Sequence, residues 1–212
     1  MDSNSRQSAV PRPEQGGTER PPSDDWNRKR REILDAAAEV FFRRGFTGGT
    51  TKEIAAKVGI SQPSIYHYVG SKEDLMVEIA RQVARDFTIT LNAALGAHDD
   101  PVAKLGAVID SFVASLVLNQ RTFAVYWKEY YSLPPAVAQE VSADQRAYVQ
   151  RFENLVGDVQ RAGYLPADQP TRIISEGILG MMSWMHWWYR PGEFDQQQVA
   201  TAFRALIGLR SS

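Results

Sequence analysis

Between Thr50 and Leu75 the chain reads TTKEIAAKVGISQPSIYHYVGSKEDL, and this stretch holds three helix starts in close succession. Thr50 and Glu53 have the S/T-x-x-E spacing of a capping box, in which each residue satisfies a backbone N–H of the other. Ser61 opens a second helix and tolerates Pro63 in its first turn, and Ser71 opens a third. Ala55, Gly59 and Ile65 stand at offsets of zero, four and ten. A small side chain at 55 lets two helices cross closely. Glycine at 59 allows the positive φ of a tight turn, and a branched side chain at 65 fills the space between the helices. The spacing therefore predicts a helix-turn-helix, with a helix from Thr51 to Val58, a second from Ser61, and a long one from Ser71 to about Leu95.

The chemistry of that unit points to a polyanion. Gln62, Ser64, Tyr66, His67 and Tyr68 lie between the buried positions of the second of these helices and suit base edges and phosphates. Lys72 sits in a first turn, where backbone N–H groups and an ammonium together favour a phosphate. From Trp26 to Gly70 the chain carries eight basic and four acidic side chains, a net +4, whereas the whole chain is −1, leaving −5 elsewhere. A basic unit on an acidic body directs the polyanion to the first unit.

A helix is expected before it, from about Asp25 to Arg44, with Asp24 or Asp25 as cap and Gly45 as its C′ glycine. Arg28 to Arg31 would crowd its first turn, either as a solvated basic face or as phosphate ligands. Residues 1 to 24 are too poor in apolar side chains to offset ordering and read as a disordered tail; Arg6, Arg12 and Arg20 would make it a weak phosphate arm. Domains are thus expected at 1–24, 25–70 and 71–212.

The rest reads as helix throughout. Leu75, Ile79, Val83, Phe87 and Leu91 make one long stripe that a larger body must cover. Pro101 starts the next helix, with Leu105, Val108, Ile109, Phe112 and Leu116 as its inner face. Arg121 to Leu133 concentrates Phe123, Tyr126, Trp127, Tyr130 and Tyr131 in a short helix stopped by Pro134-Pro135. It is either aromatic core or the wall of a ligand cavity. Val137 to Ala162 is one long helix, on which Val141, Gln145, Tyr148, Phe152, Leu155 and Val159 share a face. Asp168 and Pro170 open the following helix, and Asp195 with Gln198 caps the last, flanked by a Phe194–Val199 staple. About nine helices and no strands define an all-α fold.

Several functions are excluded or disfavoured. There is no cysteine, so thiol catalysis, disulfides and thiolate metal sites are ruled out, and three dispersed histidines argue against zinc. No catalytic motif or glycine-rich phosphate loop appears, so neither an enzyme nor a cofactor is expected. The N-terminus lacks an apolar signal core, and the most apolar run, Gly177 to Tyr189, is shorter than the ~20 residues of a span, so a cytoplasmic, membrane-free protein is expected.

The segment Ile33 to Leu75, about a fifth of the chain, resembles the DNA-binding domain of the TetR family of transcriptional regulators. The likeness rests on Ile33, Ala36-Ala37, Phe41, Gly45-Phe46, Thr50, Ile54-Ala55, Gly59-Ile60-Ser61, Ile65-Tyr66, Tyr68 and Ser71-Lys72-Glu73-Asp74-Leu75. Gly49 departs where threonine is common, with loss of a backbone contact expected, and Val69 where phenylalanine is common. The resemblance implies a dimeric repressor that binds an operator in double-stranded DNA and leaves it when a small hydrophobic effector binds, with the subunits paired through their last two helices. DNA-binding candidates are Arg28, Thr50, Lys52, Ser61, Gln62, Ser64, Tyr66, His67, Tyr68 and Lys72. Thr50 and Lys72 are assigned to phosphates, one of Tyr66 and Tyr68 is expected partly in the core, and His67 has a rival reading as a plain surface residue.

The run MMSWMHWWYRPG, Met181 to Gly192, resembles members of the family that sense acyl-CoA thioesters in fatty-acid or sterol catabolism. Ligand candidates are Phe123, Trp127, Tyr130, Tyr131, Met181, Trp184 and Trp188, with Arg121 and Arg190 for phosphate or carboxylate groups. A structural tryptophan stripe is the competing reading. A multidrug-binding regulator of an efflux pump is the alternative function.

Overall fold

The computed structural model describes residues 23–209, and the proposed arm residues Arg6, Arg12 and Arg20 lie outside them. The described residues form nine α-helices and no strands. The first, α1 (Asp24–Gly48), is capped by Ser23, whose hydroxyl accepts from the Trp26 amide, so the cap lies before the expected Asp24 or Asp25. The two aspartates occupy the first turn instead, where they favour the helix dipole. The arginines that follow are largely neutralised: Arg28 pairs with Asp25 at 2.8 Å and Arg30 with Glu78 at 2.9 Å. Gly45 takes φ +73° and breaks α1 where a C′ glycine was expected, and a further turn carries Phe46 to Gly48.

α2 (Thr51–Lys57) has both halves of its capping box, and α3 (Gln62–Ile65) is capped by Ser61. Gly59 between them has φ +69°. Ile54, Ala55 and Ile65 are buried in the same core as Ile33, Ala37 and Phe41 of α1. α4 (Lys72–Gly96), capped by Ser71, runs 25 residues, roughly 37 Å, and joins the small N-terminal unit to the body. Its first half buries Leu75, Ile79 and Val83, and its second half Leu91 and Ala94.

α5 (Pro101–Leu118) is the central helix and packs against α4. Its buried face is Leu105, Val108, Ile109, Phe112 and Leu116. It is the longest apolar helix, 18 residues with a mean hydropathy of 1.7, which displaces Gly177 to Tyr189 as the most apolar run. By length and composition alone it meets the requirement for a membrane span, while its buried face belongs to the core.

α6 (Gln120–Glu129) is shorter than expected, because Tyr130–Ser132 form a 3-10 turn before Pro134. α7 (Pro135–Arg161) begins at the second proline of that pair. It is tied to α4 by Arg81, which donates to both carboxylate oxygens of Glu140. Gln160, buried at the end of α7, clamps the following loop. It donates to the carbonyls of Pro166 and Gln169 and accepts from the hydroxyl of Thr171, the first residue of α8 (Thr171–Trp188). α9 (Gln196–Leu206) starts with the Asp195–Gln198 capping box and is fastened to α5 by an Arg204–Asp110 ion pair at 2.7 Å.

Candidate DNA interface and effector cavity

The surface built by α2 and α3 is organised around a side chain that is itself buried. Thr51 is 7% exposed, and its hydroxyl accepts from Gln62 Nε2 at 3.1 Å and hydrogen-bonds Tyr66 Oη at 3.2 Å. Two long side chains of the α3 surface are thereby held in one arrangement. Ser61 and Ser64 share a 2.7 Å hydroxyl contact beside them, and Gln62, Tyr66 and His67 are exposed. Tyr68 turns inward, half-buried against the core, with its ring 5.8 Å from that of Trp26. Lys72 is positioned by α1: its ammonium donates to the Thr47 carbonyl at 3.3 Å and lies 4.6 Å from the centre of the Phe46 ring. The Thr50 and Lys52 side chains face solvent, Thr50 being engaged with Glu53 in the capping box.

A cavity of about 230 Å³ opens between α4, α5, α6, α7 and α8. Six aromatic side chains line it: Phe87, Phe112, Phe123, Tyr126, Trp127 and Tyr148. Phe123 is their hub, with ring centres of Phe87 at 5.1 Å and Trp127 at 6.1 Å. His186 stacks on the Trp127 ring at 6.2 Å. Burial pushes the phenol pKa values of Tyr126 and Tyr148 up, so both hydroxyls stay protonated at neutral pH. The indole N–H of Trp127 is buried with no acceptor among the described residues, so this wall carries an uncompensated donor. The polar lining comes from Thr88, Asp144, Gln145, Glu176 and Ser183. A larger hollow of about 460 Å³ lies between α1 and α2, but its walls are Arg43, Arg44 and Lys57 paired with Glu39 and Glu53. The aromatic cavity, unlike that charged hollow, is shaped for an apolar molecule.

One helix links the cavity to α1. α6 turns Phe123, Tyr126 and Trp127 to the cavity, while Glu129 accepts from the Phe46 amide at 3.3 Å and Arg121 lies 3.8 Å from Glu39 of α1.

Residues 33–79 match the family model described as bacterial regulatory proteins, tetR family, and residues 98–209 that described as tetracyclin repressor-like, C-terminal domain. The chain belongs to the TetR family of transcriptional regulators. Its relatives include the transcriptional repressor KstR2 of Rhodococcus jostii, 30% identical over 179 residues that cover 81% of this chain and 86% of the relative. The transcriptional regulator BetI of Brucella anthropi is 28% identical over 159 residues, 74% of this chain and 79% of the relative. Among solved structures, the ketosteroid transcriptional regulator KstR2 of Mycobacterium tuberculosis aligns with TM-score 0.78 at 22% identity, covering 84% of this chain and 92% of its own. AibR in complex with isovaleryl coenzyme A and operator DNA aligns with TM-score 0.74 at 21% identity, covering 86% and 100%. At such identities the structures establish a shared fold.

Within this TetR fold, Gly49 has a packing role. A Cβ there would lie 2.8 Å from Phe41 Cδ1 and 2.9 Å from Val40 Cγ1. Val69 is buried at 7% exposure, as an apolar replacement should be. Of the ligand candidates, the cavity includes Phe123 and Trp127 and leaves out Tyr130, Tyr131, Met181, Trp184 and Trp188. Tyr131 is 92% exposed because the 3-10 turn rotates it off the helical face it was expected to share with Trp127. Tyr130 spends its hydroxyl on Ser142, at 2.6 Å. Trp184 and Trp187 stack on each other at 6.0 Å on the outer face of α8, and Trp188 leans on Phe203 of α9. The buried face of α8 is instead Ser175, Ile178, Leu179, Met182 and Met185, and the residues it lends to the rim of the cavity are Glu176, Leu179, Gly180 and Ser183. The two basic candidates are occupied elsewhere: Arg121 faces Glu39, and Arg190 donates to the carbonyls of Trp187 and Tyr189.

Sequence reasoning missed Thr51, Asp144 and Glu176. A polar residue in an apolar register, Gln145 between Val141 and Tyr148, was the available signal that α7 lines a space as well as a core.

Proposed function

We propose that the protein is a ligand-responsive, dimeric transcriptional repressor, not an enzyme, released from its operator by a small molecule bound in the aromatic cavity. The observation that carries this reading is the double contact of α6, whose one face forms the cavity wall and whose other face holds the end of α1. An effector that fits best when α6 is displaced would bias the position of α1 and α4, and with them the spacing of two α3 helices. Arg28, Thr50, Lys52, Ser61, Gln62, Ser64, Tyr66, His67, Tyr68 and Lys72 are the proposed DNA contacts, with Tyr68 acting from its half-buried position.

Dimerisation is proposed through α8 and α9. Ile173, Gly177, Gly180, Trp184 and Trp187 form an exposed stripe along α8, and Leu206 of α9 is 74% exposed. A dimer also serves DNA geometry, since two short reading helices must meet half-sites about 34 Å apart. Action on an operator supports a cytoplasmic location. As to the effector, the reading as an acyl-CoA of lipid or sterol catabolism is supported by two proteins of like fold, AibR, which is seen with isovaleryl coenzyme A, and the ketosteroid regulator KstR2. The alternative, a multidrug-binding regulator of an efflux pump, is favoured by the acidic side chains of the cavity wall.

The test uses a duplex that the protein itself selects from a random-sequence pool. Sedimentation should show two subunits per duplex, and saturating the cavity should lower duplex affinity. A protein that binds DNA as a monomer, or holds the duplex equally well with its cavity filled, refutes the proposal.

A further inference from the structure

We infer that Trp127 is the residue that selects the effector, and that its indole N–H receives an uncharged acceptor, the carbonyl oxygen of a compact apolar molecule. This rests on the reading of the cavity as the effector site and specifies what that site recognises. The Trp127 ring lines the cavity, yet its N–H is sealed from solvent and has no acceptor among the described residues. A buried donor left unpaired destabilises its surroundings until an acceptor reaches it. Tyr126 and Tyr148 line the same wall. Burial keeps both phenols protonated, and neither hydroxyl bonds to another described residue. The wall therefore offers donors. Its carboxylates, Asp144 and Glu176, are exposed, and the lining holds no Lys or Arg, so a ligand carboxylate would find no counter-charge there. A carbonyl oxygen accepts without bringing a charge into an apolar space.

The place of this donor in the fold gives the bond a consequence. Trp127 stands on α6, two residues before Glu129, which holds the Phe46 amide at the end of α1. Its ring is stacked on His186 of α8 and meets Phe123 edge to face. Because the N–H is closed in this arrangement, an acceptor in the cavity reaches it only when the ring or α6 gives way. The ligand then makes that bond in the displaced state alone, which is the differential contact a population shift requires. A molecule of the same shape without the acceptor fills the same space but leaves the donor unpaired, so a single N–H discriminates between the two.

The experiment compares ligands that share one ring: acetophenone, its isostere α-methylstyrene (in which a methylene replaces the oxygen), benzoate, and benzoyl-CoA. Binding to the full-length protein is read by calorimetry, and release of the selected duplex by anisotropy. The carbonyl should bind about 5- to 150-fold tighter than the methylene isostere, and benzoate more weakly than acetophenone. Replacing the Trp127 indole by benzothiophene, which keeps the ring and removes the N–H, should abolish that preference without weakening α-methylstyrene. In the free protein the same replacement should not lower the urea midpoint, since no hydrogen bond is lost. Trp127→Phe, which also removes ring area, should weaken both ligands and lose the preference. Benzoyl-CoA presents the carbonyl as a thioester. If its affinity falls with the N–H, the natural source is a CoA ester; if only that of acetophenone does, the source is a free ketone. No saturable binding of either carbonyl compound, equal affinity for α-methylstyrene, tighter binding of benzoate, a preference that survives loss of the N–H, or a lowered urea midpoint overturns the inference. The two readings fail separately. A carbonyl compound that binds through Trp127 but leaves the duplex bound refutes the repressor mechanism alone. One that releases the duplex equally well without the N–H refutes the role of Trp127 alone.

Discussion

Thr51→Val removes one hydroxyl and almost no volume, and its effect separates folding from DNA reading. The hydroxyl makes two hydrogen bonds, to Gln62 and Tyr66. Neutral hydrogen bonds contribute about 0.5–1.5 kcal/mol each to stability. Gln62 and Tyr66 are exposed, so their released groups return to water and the folding cost falls at the low end, about 1 kcal/mol in total. The DNA cost is larger. Two side chains that were already positioned must now be ordered on binding, at about 0.5–1.5 kcal/mol each. That predicts roughly a 5- to 150-fold loss of affinity. Anisotropy titrations of the selected duplex at fixed salt, with urea melts in parallel, measure the two effects. The mutation should cost less in a Gln62→Ala background, because one of its two beneficiaries is already gone. Wild-type affinity for Thr51→Val, or strict additivity with Gln62→Ala, would show that the hydroxyl does not pre-position the surface.

Gly49→Ala forces a Cβ against Phe41 and Val40, and overpacking of about 1–3 kcal/mol should outweigh the modest entropic gain of replacing glycine; a raised urea midpoint contradicts this. Replacing Trp184 and Trp187 together by Ser should shift the sedimentation coefficient to that of a monomer and weaken duplex binding, while the circular dichroism spectrum stays helical. Glu129→Ala removes the acceptor of the Phe46 amide and should reduce the coupling between effector and duplex by about 0.5–2 kcal/mol with little change in effector affinity. The hydrogen bond from Lys57, with the charges of Lys57, Arg43 and Arg121, holds the Glu39 carboxyl below its usual 4.5. A carboxylate lowered in the folded state stabilises above its unfolded pKa and loses that contribution as pH falls through the folded one. The gap between wild type and Glu39→Gln in urea midpoint should therefore be present at neutral pH and close in acid, well below the unfolded value.

The helix-turn-helix was legible because its determinants are local: Thr50, Ser61 and Ser71 cap the helices that follow them, and Gly59 turns where only glycine is comfortable. Ser23 was missed as a cap because its neighbours toward the N-terminus are polar and Pro-rich, which masked the helix start. The α8 tryptophans show what periodicity cannot supply. Spacing groups Met181, Trp184 and Trp188 on one side, but the partner of that side depends on where α5 and α7 lie. Ile178, Met182 and Met185 take the buried side of α8, and the tryptophans are left on its outer side. Tyr131 shared a helical face with Trp127 only if the helix continued, and the approach to Pro134-Pro135 tightened the chain into a 3-10 turn. The close approach of Gly49 to Phe41 and Val40 was not legible, because it depends on the fold of the chain back onto α1 after Gly45.

The grip of Glu129 on the Phe46 amide bears on how such proteins can be recombined. A chimera joined in the short loop before Ser71 would appear to cut the chain between two independent parts. Yet the end of α1 is held by a side chain more than eighty positions downstream. A transplanted N-terminal unit would fold and bind its DNA, but without a matching acceptor on the new α6 it would be deaf to whatever filled the cavity. The junction to conserve in building hybrid sensors is therefore the seam between α1 and α6, which no linear alignment of domain boundaries marks.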